Sequence, residues 1–281
     1  MSNVLVSPGS VFAPALSWLN INHHDIFANI AAFFNLAVSS IVTLLTMAPS
    51  PVVIGVLAVA ALASSGWRMG VLTGLGLALC AVMGMWVATV QTIALVVLAV
   101  LISISLGMPI GILISRSKKL QALTRPVLDI MQTLPPWVYL VPAVILFGLG
   151  SVPALISTII YGIAPMVRLT ILAVSQIPQE RIELGRAIGA TKFDLLRKIE
   201  LPSALPTLLV GVNQCILLSL AMVVLAGLVG AGGLGAEVTR GLSRLDFGLG
   251  LRASLAIVAI AIIMDRVFRN SIPEIFWSKA K

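Results

Sequence analysis

Charged residues are missing from four long stretches of this 281-residue chain, and their absence dictates what it can fold into. None lies in 26–67, 69–115, 130–167 or 201–236. A helix needs about 20 apolar residues to cross roughly 30 Å of hydrocarbon. The stretch 69–115 has room for two spans, with a break expected near 86–91. The stretch 130–167 also has room for two, joined by a turn at Gly148, Gly150 and Pro153. The stretch 201–236 gives one span at 205–228 and then a glycine-rich segment. A last span is expected at 249–267, with Arg252 near its outer end, where the side chain can snorkel. The run 51–66 is marginal in length. The expectation is an all-α, polytopic membrane bundle of about seven spans.

Composition agrees. Apolar residues make up 59% and charged residues 10% of the chain, and the mean hydropathy is +1.10. Soluble domains run about 45–50% apolar and about 25% charged. A soluble enzyme, a disordered chain and a nucleic-acid-binding domain are excluded on this basis. Cys80 and Cys215 sit in apolar runs and read as buried free thiols. His23 and His24 are adjacent and lack the i, i+4 spacing of a helical metal pair. No metal site is expected.

The segment 26–45 is amphipathic. Asn35, Ser39 and Thr43 form a polar stripe on an otherwise apolar helix. A helix lying along the interface is favoured over a true span. No Lys or Arg precedes Arg68, so the start lacks the basic region of a cleaved signal peptide. The cations set the orientation. Placing 116–126, 178–202 and the tail on one side, with Arg68 and Arg168, collects fifteen of the eighteen Lys and Arg residues. Only Arg240, Arg244 and Arg252 fall opposite. The positive-inside rule makes the first side cytoplasmic.

No G-x-x-x-x-G-K-[ST] loop is present, so the chain is not expected to hydrolyse nucleotide, and no nucleophile–base constellation is evident. Asp129 and Asp265 are expected near the cytoplasmic span ends, in i, i+4 ion pairs with Arg125 and Arg269. The most informative stretch is 178–202. Pro178 suits the first helical position, and Glu180 and Glu183 suit the helix dipole near it. Gly189 can end that helix in the left-handed conformation. Thr191 with Asp194 resembles an N-cap with a carboxylate at N3. A second short helix is expected to stop near Glu200, because Leu201 precedes Pro202. Exposed Ile182, Phe193 and Leu196 would give this helix–turn–helix an apolar docking ridge.

Glu183, Gly189, Ile199, Leu201 and Pro202 resemble the Glu-Ala-Ala…Gly…Ile-x-Leu-Pro loop of ATP-binding-cassette importer permeases, with Leu184 and Gly185 in place of the two alanines. The resemblance implies a type I importer permease architecture and an ATPase-coupling loop formed by Glu183, Gly185, Ala187, Gly189, Ala190, Ile199, Leu201 and Pro202. A narrower likeness is carried by Arg125-Pro126, Leu128-Asp129, Met131-Gln132-Thr133, Pro135, Val138-Tyr139-Leu140-Val141-Pro142, Arg168-Leu169-Thr170, Gly211-Val212-Asn213-Gln214, Met222-Val223-Val224 and Gly232-Gly233-Leu234-Gly235. These look like the glycine betaine/proline permease family. That likeness implies a second permease subunit in a homodimer, two cytoplasmic ATPases and an extracytoplasmic binding protein that delivers a quaternary ammonium osmolyte. It implies a bacterial inner membrane, and no cofactor on this chain, since ATP and Mg belong to the partner ATPase.

The chain divides into an N-terminal segment 1–50, accessory helices 51–84, a permease core 85–267 holding the loop 178–202, and a tail 268–281. Gln132, Tyr139, Asn213, Gln214, Ser219 and Met222 are candidates for the substrate path. For the polar ones interhelical hydrogen bonding competes with that role, and for Met222 packing does. Gly230, Gly232, Gly233 and Gly235 are candidate gate positions, with close packing the competing reading. Quaternary ammonium ions are best held by aromatic cages, and aromatics are few in the spans, so tight recognition is expected on another subunit. The alternative function is an ion-coupled secondary carrier for a small amine. Inverted repeats or a mid-membrane charge would favour it.

Overall fold

Apolar periodicity without strand alternation gives helices throughout. The computed structural model describes residues 8–270, and among these no strand occurs. In chain order the helices are α1 (Pro8–Asn22), α2 (His24–Thr46), α3 (Ser50–Ser65), α4 (Trp67–Val82), α5 (Trp86–Ser115), α6 (Lys118–Thr133), α7 (Trp137–Phe147), α8 (Ser151–Ser175), α9 (Gln179–Ala187) and α10 (Lys192–Asp194). A π turn, Leu195–Glu200, leads into α11 (Leu201–Ala226); a 3-10 turn, Gly227–Val229, precedes α12 (Gly233–Ser243) and α13 (Phe247–Asn270). The tail expected from 268 onward lies, beyond Asn270, outside the described residues, as do the first seven.

Among the described residues, five helices are long and apolar enough to cross a membrane: α2, α5, α8, the continuous helix Lys192–Val229, and α13. The pair α6 and α7 adds a sixth crossing if counted as one broken span. The apolar helices α3 and α4 are shorter. The break expected near 86–91 falls at Met83–Met85, just before α5.

The core is α5 packed on α8 and α11. Lipid is as apolar as leucine, so close packing rather than water exclusion must hold these helices together. Gly107 and Gly111 form a small-residue face on α5. A Cβ on Gly111 would sit 2.5 Å from the Thr170 Cβ, and one on Gly107 would sit 3.0 Å from the Met166 Cβ. Two core hydroxyls bond backbone across the helix contacts: Ser103 donates to the Ile159 carbonyl at 3.2 Å, and Ser157 to the Tyr139 carbonyl at 3.0 Å. Cys80 and Cys215 are buried free thiols.

Two elements depart from the sequence expectation. The first span expected in 130–167 is no straight helix: α6 and α7 meet at 92°. Leu134 is extended, as a residue before proline prefers, and Pro135-Pro136 removes two donors. Pro135 would have bonded the Met131 carbonyl in a continuous helix; the Tyr139 hydroxyl donates to that carbonyl instead, at 2.5 Å. The second departure is at Leu201–Pro202, where no break occurs. Leu201 is helical (φ −61°, ψ −46°). The preceding π turn is wider than an α turn and redirects the carbonyls that would face the proline ring. The loop helix and the span are thus one continuous rod.

Fifteen cations were expected at one end of the bundle, and the structure shows what ties that end together. Ser65, at the end of α3, donates to the Val267 carbonyl of α13 at 3.0 Å, and Arg116 reaches Glu200. At the opposite end, Arg252 approaches the Met83 carbonyl at 3.5 Å. The α7–α8 turn also lies at that opposite end, and α1 and α2 gather on it. Asn20 donates to the Ile145 carbonyl at 2.9 Å, Phe27 meets Phe147 edge to face, and Asn35 accepts from Ser151 at 2.9 Å.

Candidate docking segment and translocation path

The segment 178–202 is built as local chemistry dictates. Pro178 is the N-cap of α9, one position earlier than expected, and Glu180 lies in the first turn. Gly189 has φ +79°, and nothing lies within 4 Å of where its Cβ would be. Its N–H donates to the Arg186 carbonyl at 3.0 Å and the Ala190 N–H to the Gly185 carbonyl at 3.0 Å. This is the paired 5→2 and 6→1 bonding of a Schellman stop. Thr191 accepts from the Asp194 N–H at 3.1 Å, and its hydroxyl donates to the Asp194 carboxylate at 2.6 Å. Lys198, and then Thr191, hold the Asp194 carboxyl below the usual carboxylate range. That contribution is present at neutral pH and is lost as pH falls through the depressed value.

Gly185, where the resembled pattern has alanine, is buried against the π turn. A Cβ there would lie 2.5 Å from Ile199 Cδ1 and 2.7 Å from Leu195 Cδ1. The glycine lets α9 lie directly on the rod. The exposed apolar ridge differs from the one expected. Ile182 and Leu196 turn partly inward, while Leu184 (65% exposed), Ile188 (75%) and Phe193 (68%) stand out. Helical phase explains this: Ile182 shares a face with Gly185 and must point at the rod. Glu183 and Ala187 are exposed, Ala190, Ile199 and Leu201 are half-buried, and Pro202 lines an open cleft with Arg181 and Lys198.

Glu200, the last residue of the π turn, is 1% exposed. Arg116, just beyond α5, forks onto it with Nη1 to Oε1 at 2.7 Å and Nη2 to Oε2 at 2.5 Å. A bidentate pair is the geometry that makes a buried carboxylate tolerable. Sequence reasoning missed this pair; 84 residues separate its members.

Among the path candidates, Gln132 and Gln214 come together with Tyr161, Arg168, Leu169 and Leu218 around a cleft of about 400 Å³. Tyr139 does not line that cleft, but its ring lies 5.9 Å from that of Tyr161. Asn213 is buried and faces α13. With its amide turned to match its neighbours, it donates to Asp265 at 2.9 Å and accepts from Arg269 at 3.3 Å. Ser219 and Met222 are fully buried in the core. Asp265 pairs with Arg269 at 3.1 Å, as expected. Asp129 pairs with Arg168 on α8 and not with Arg125. The close packing of α6 on α8 brings that guanidinium nearer than the flexible i, i−4 partner. Arg168 lines the first cleft and also a second one, shared with Asp129 and Gln121.

At the opposite end, the glycine segment is clamped. Gly230, Gly232 and Gly233 have φ of +79°, +75° and +70°. The Gly233 N–H donates to Gln91 Oε1 at 2.8 Å and the Leu234 N–H to Thr92 Oγ1 at 2.9 Å. A Cβ on Gly235 would overlap the Val224 carbonyl oxygen, so α12 touches the α11 backbone directly.

Residues 103–276 match the family described as binding-protein-dependent transport system inner membrane component. The chain belongs to this family. It is the permease subunit of an ATP-binding-cassette importer, and it lies in the bacterial inner membrane. The permease is 41% identical to the glycine betaine/proline betaine transport system permease protein ProW of Escherichia coli, over 94% of this chain and 74% of the relative. It is 39% identical to the glycine betaine transport system permease protein OpuAB of Bacillus subtilis, over 91% of this chain and 90% of that one. The fold is similar to an inward-facing structure of the MetNI methionine ABC transporter, with a TM-score of 0.57 at 23% identity, covering 67% of this permease and 96% of that chain.

Proposed function

We propose that this permease carries a quaternary ammonium osmolyte, such as glycine betaine, proline betaine or choline, into the cell, and that a separate ATPase drives it. The observation that carries the ATP-driven reading is the docking segment. It is capped at both helices, fused to a spanning rod, and presents Leu184, Ile188 and Phe193 to solvent. A solvated connector has no need of such a ridge. The substrate class is supported by the names of the E. coli and B. subtilis relatives. The cleft of about 400 Å³ supports it too: Tyr161 in its lining can offer a π face to a quaternary ammonium, and Arg168, whose guanidinium is shared with Asp129, can also meet a substrate carboxylate.

In this reading the cation-rich end is cytoplasmic, and α2 lies flat over the outer α7–α8 turn. Two copies of the permease pair with two ATPases and an extracytoplasmic binding protein. ATP and Mg are held by the ATPases, and the permease itself performs no hydrolysis. Gln132, Gln214, Tyr161 and Arg168 line the path. Asn213, Ser219 and Met222 shape it from behind, and Tyr139 sets the bend beside it. Gly230, Gly232, Gly233 and Gly235 form the outer gate. The test is selective undocking. Ile188→Asp should abolish co-purification with the ATPase, while Leu245→Asp, exposed at the opposite end, should leave it intact. Equal co-purification of both variants would remove the docking assignment.

A further inference from the structure

A docking ridge at one end and a gate at the other need a physical link, and α5 is bonded to both. Its cytoplasmic end continues into Arg116, which grips the fully buried Glu200 at the foot of the docking segment. Its outer end carries Gln91 and Thr92, which accept from the first two N–H groups of α12. Those N–H groups have no partner within their own helix, and the N-cap position is Gly232, which has no side chain to offer. The start of the gate helix is therefore held by α5. From Gln91 to Arg116 the rod spans roughly 37 Å at 1.5 Å per residue. Between these joints α5 is seated closely on α8 through Gly107 and Gly111.

We propose that α5 is the rod that couples the ATPase-docking segment to the outer gate, with Arg116–Glu200 as its inner joint and Gln91 with Thr92 as its outer joint. These four are positioning residues and do not touch substrate. The inference rests on the importer reading above. It adds that docking-segment motion reaches the gate along α5 rather than only along the continuous 192–229 rod. A tilt of the π turn pulls on Arg116, and the same helix then shifts the two hydrogen bonds that hold Gly233 and Leu234.

The test uses the full complex of permease, ATPase and binding protein in liposomes. The readouts are stimulation of ATP hydrolysis by loaded binding protein and osmolyte taken up per ATP. The inner-joint variant is the double change Arg116→Met with Glu200→Leu, which leaves no orphaned buried charge and should keep the fold. The outer-joint variant is Gln91→Leu with Thr92→Val. Each should co-purify with the ATPase, yet lose at least fivefold in uptake per ATP. Combining them should be no worse than either alone, because both cut one linkage. Retention of wild-type uptake per ATP by either variant, or losses that multiply when the two are combined, overturns the rod. Absence of ATP-driven uptake by the wild-type complex would instead remove the importer reading, and the rod with it.

Discussion

Substitutions at Gly189 separate backbone conformation from every other explanation of the docking segment. The residue sits at φ +79° with open space around its missing Cβ, so a side chain there meets no neighbour. Any penalty must come from the left-handed backbone itself. For alanine that is about 1–2 kcal/mol. Valine, stiff at χ1, should sit at the upper end of the roughly 1–3 kcal/mol range for such strain. Asparagine tolerates this conformation and commonly ends helices in it, so it should be nearly neutral. If valine forces the turn to rearrange, the two bonds to Arg186 and Gly185 are lost as well, at about 0.5–1.5 kcal/mol each. The expected order of transport per ATP hydrolysed is Gly close to Asn, then Ala, then Val. Assembly is checked by co-purification. A Gly189→Asn variant as poor as Gly189→Val, or a Val variant equal to wild type, would refute the reasoning, because volume and strain would then not be separable.

Tyr139→Phe should leave the Met131 carbonyl without its partner at the α6–α7 bend and destabilise the permease by about 1–3 kcal/mol, read as a lower melting temperature in detergent. Gly235→Ala should disrupt packing by about 1–3 kcal/mol or more, since the atom it would meet is Val224 backbone, which no rotamer change can clear; poor assembly is the expected outcome, and normal yield with normal transport would contradict it. For orientation, an impermeant thiol reagent applied to intact cells should label Ser243→Cys and spare Lys192→Cys, against a low background because both native cysteines are buried; labelling of Lys192→Cys would invert the topology.

What the sequence made legible was local. The stop at Gly189, the cap at Thr191 and the Asp265–Arg269 pair each follow from residues within five positions of one another. The break before α5 and the glycine turn before α8 fell within a few residues of where they were expected, for the same reason. What it hid was set by contacts between distant segments. The bend after Thr133 was written in Pro135-Pro136, but the hydroxyl that satisfies it comes from the far side of the bend. The π turn that carries the helix through Pro202 is packed against α9 at Gly185, a contact that sequence spacing does not show. Arg116 and Glu200 read as two ordinary span-end charges until the fold brought them together. Asp129 had a sequence neighbour of the right sign, and tertiary packing offered Arg168 instead. Tyr161 is one of only two tyrosines in the chain, and that scarcity was the signal that could have found it.

ATP-driven import of a quaternary ammonium osmolyte can be measured on the purified components. Uptake of labelled glycine betaine by liposomes tests it most directly, with permease, ATPase and binding protein present together and no ion gradient imposed. The expected uptake requires ATP and all three components and persists when proton and sodium gradients are collapsed. Uptake by the permease alone, driven by an imposed ion gradient and indifferent to ATP, would contradict it.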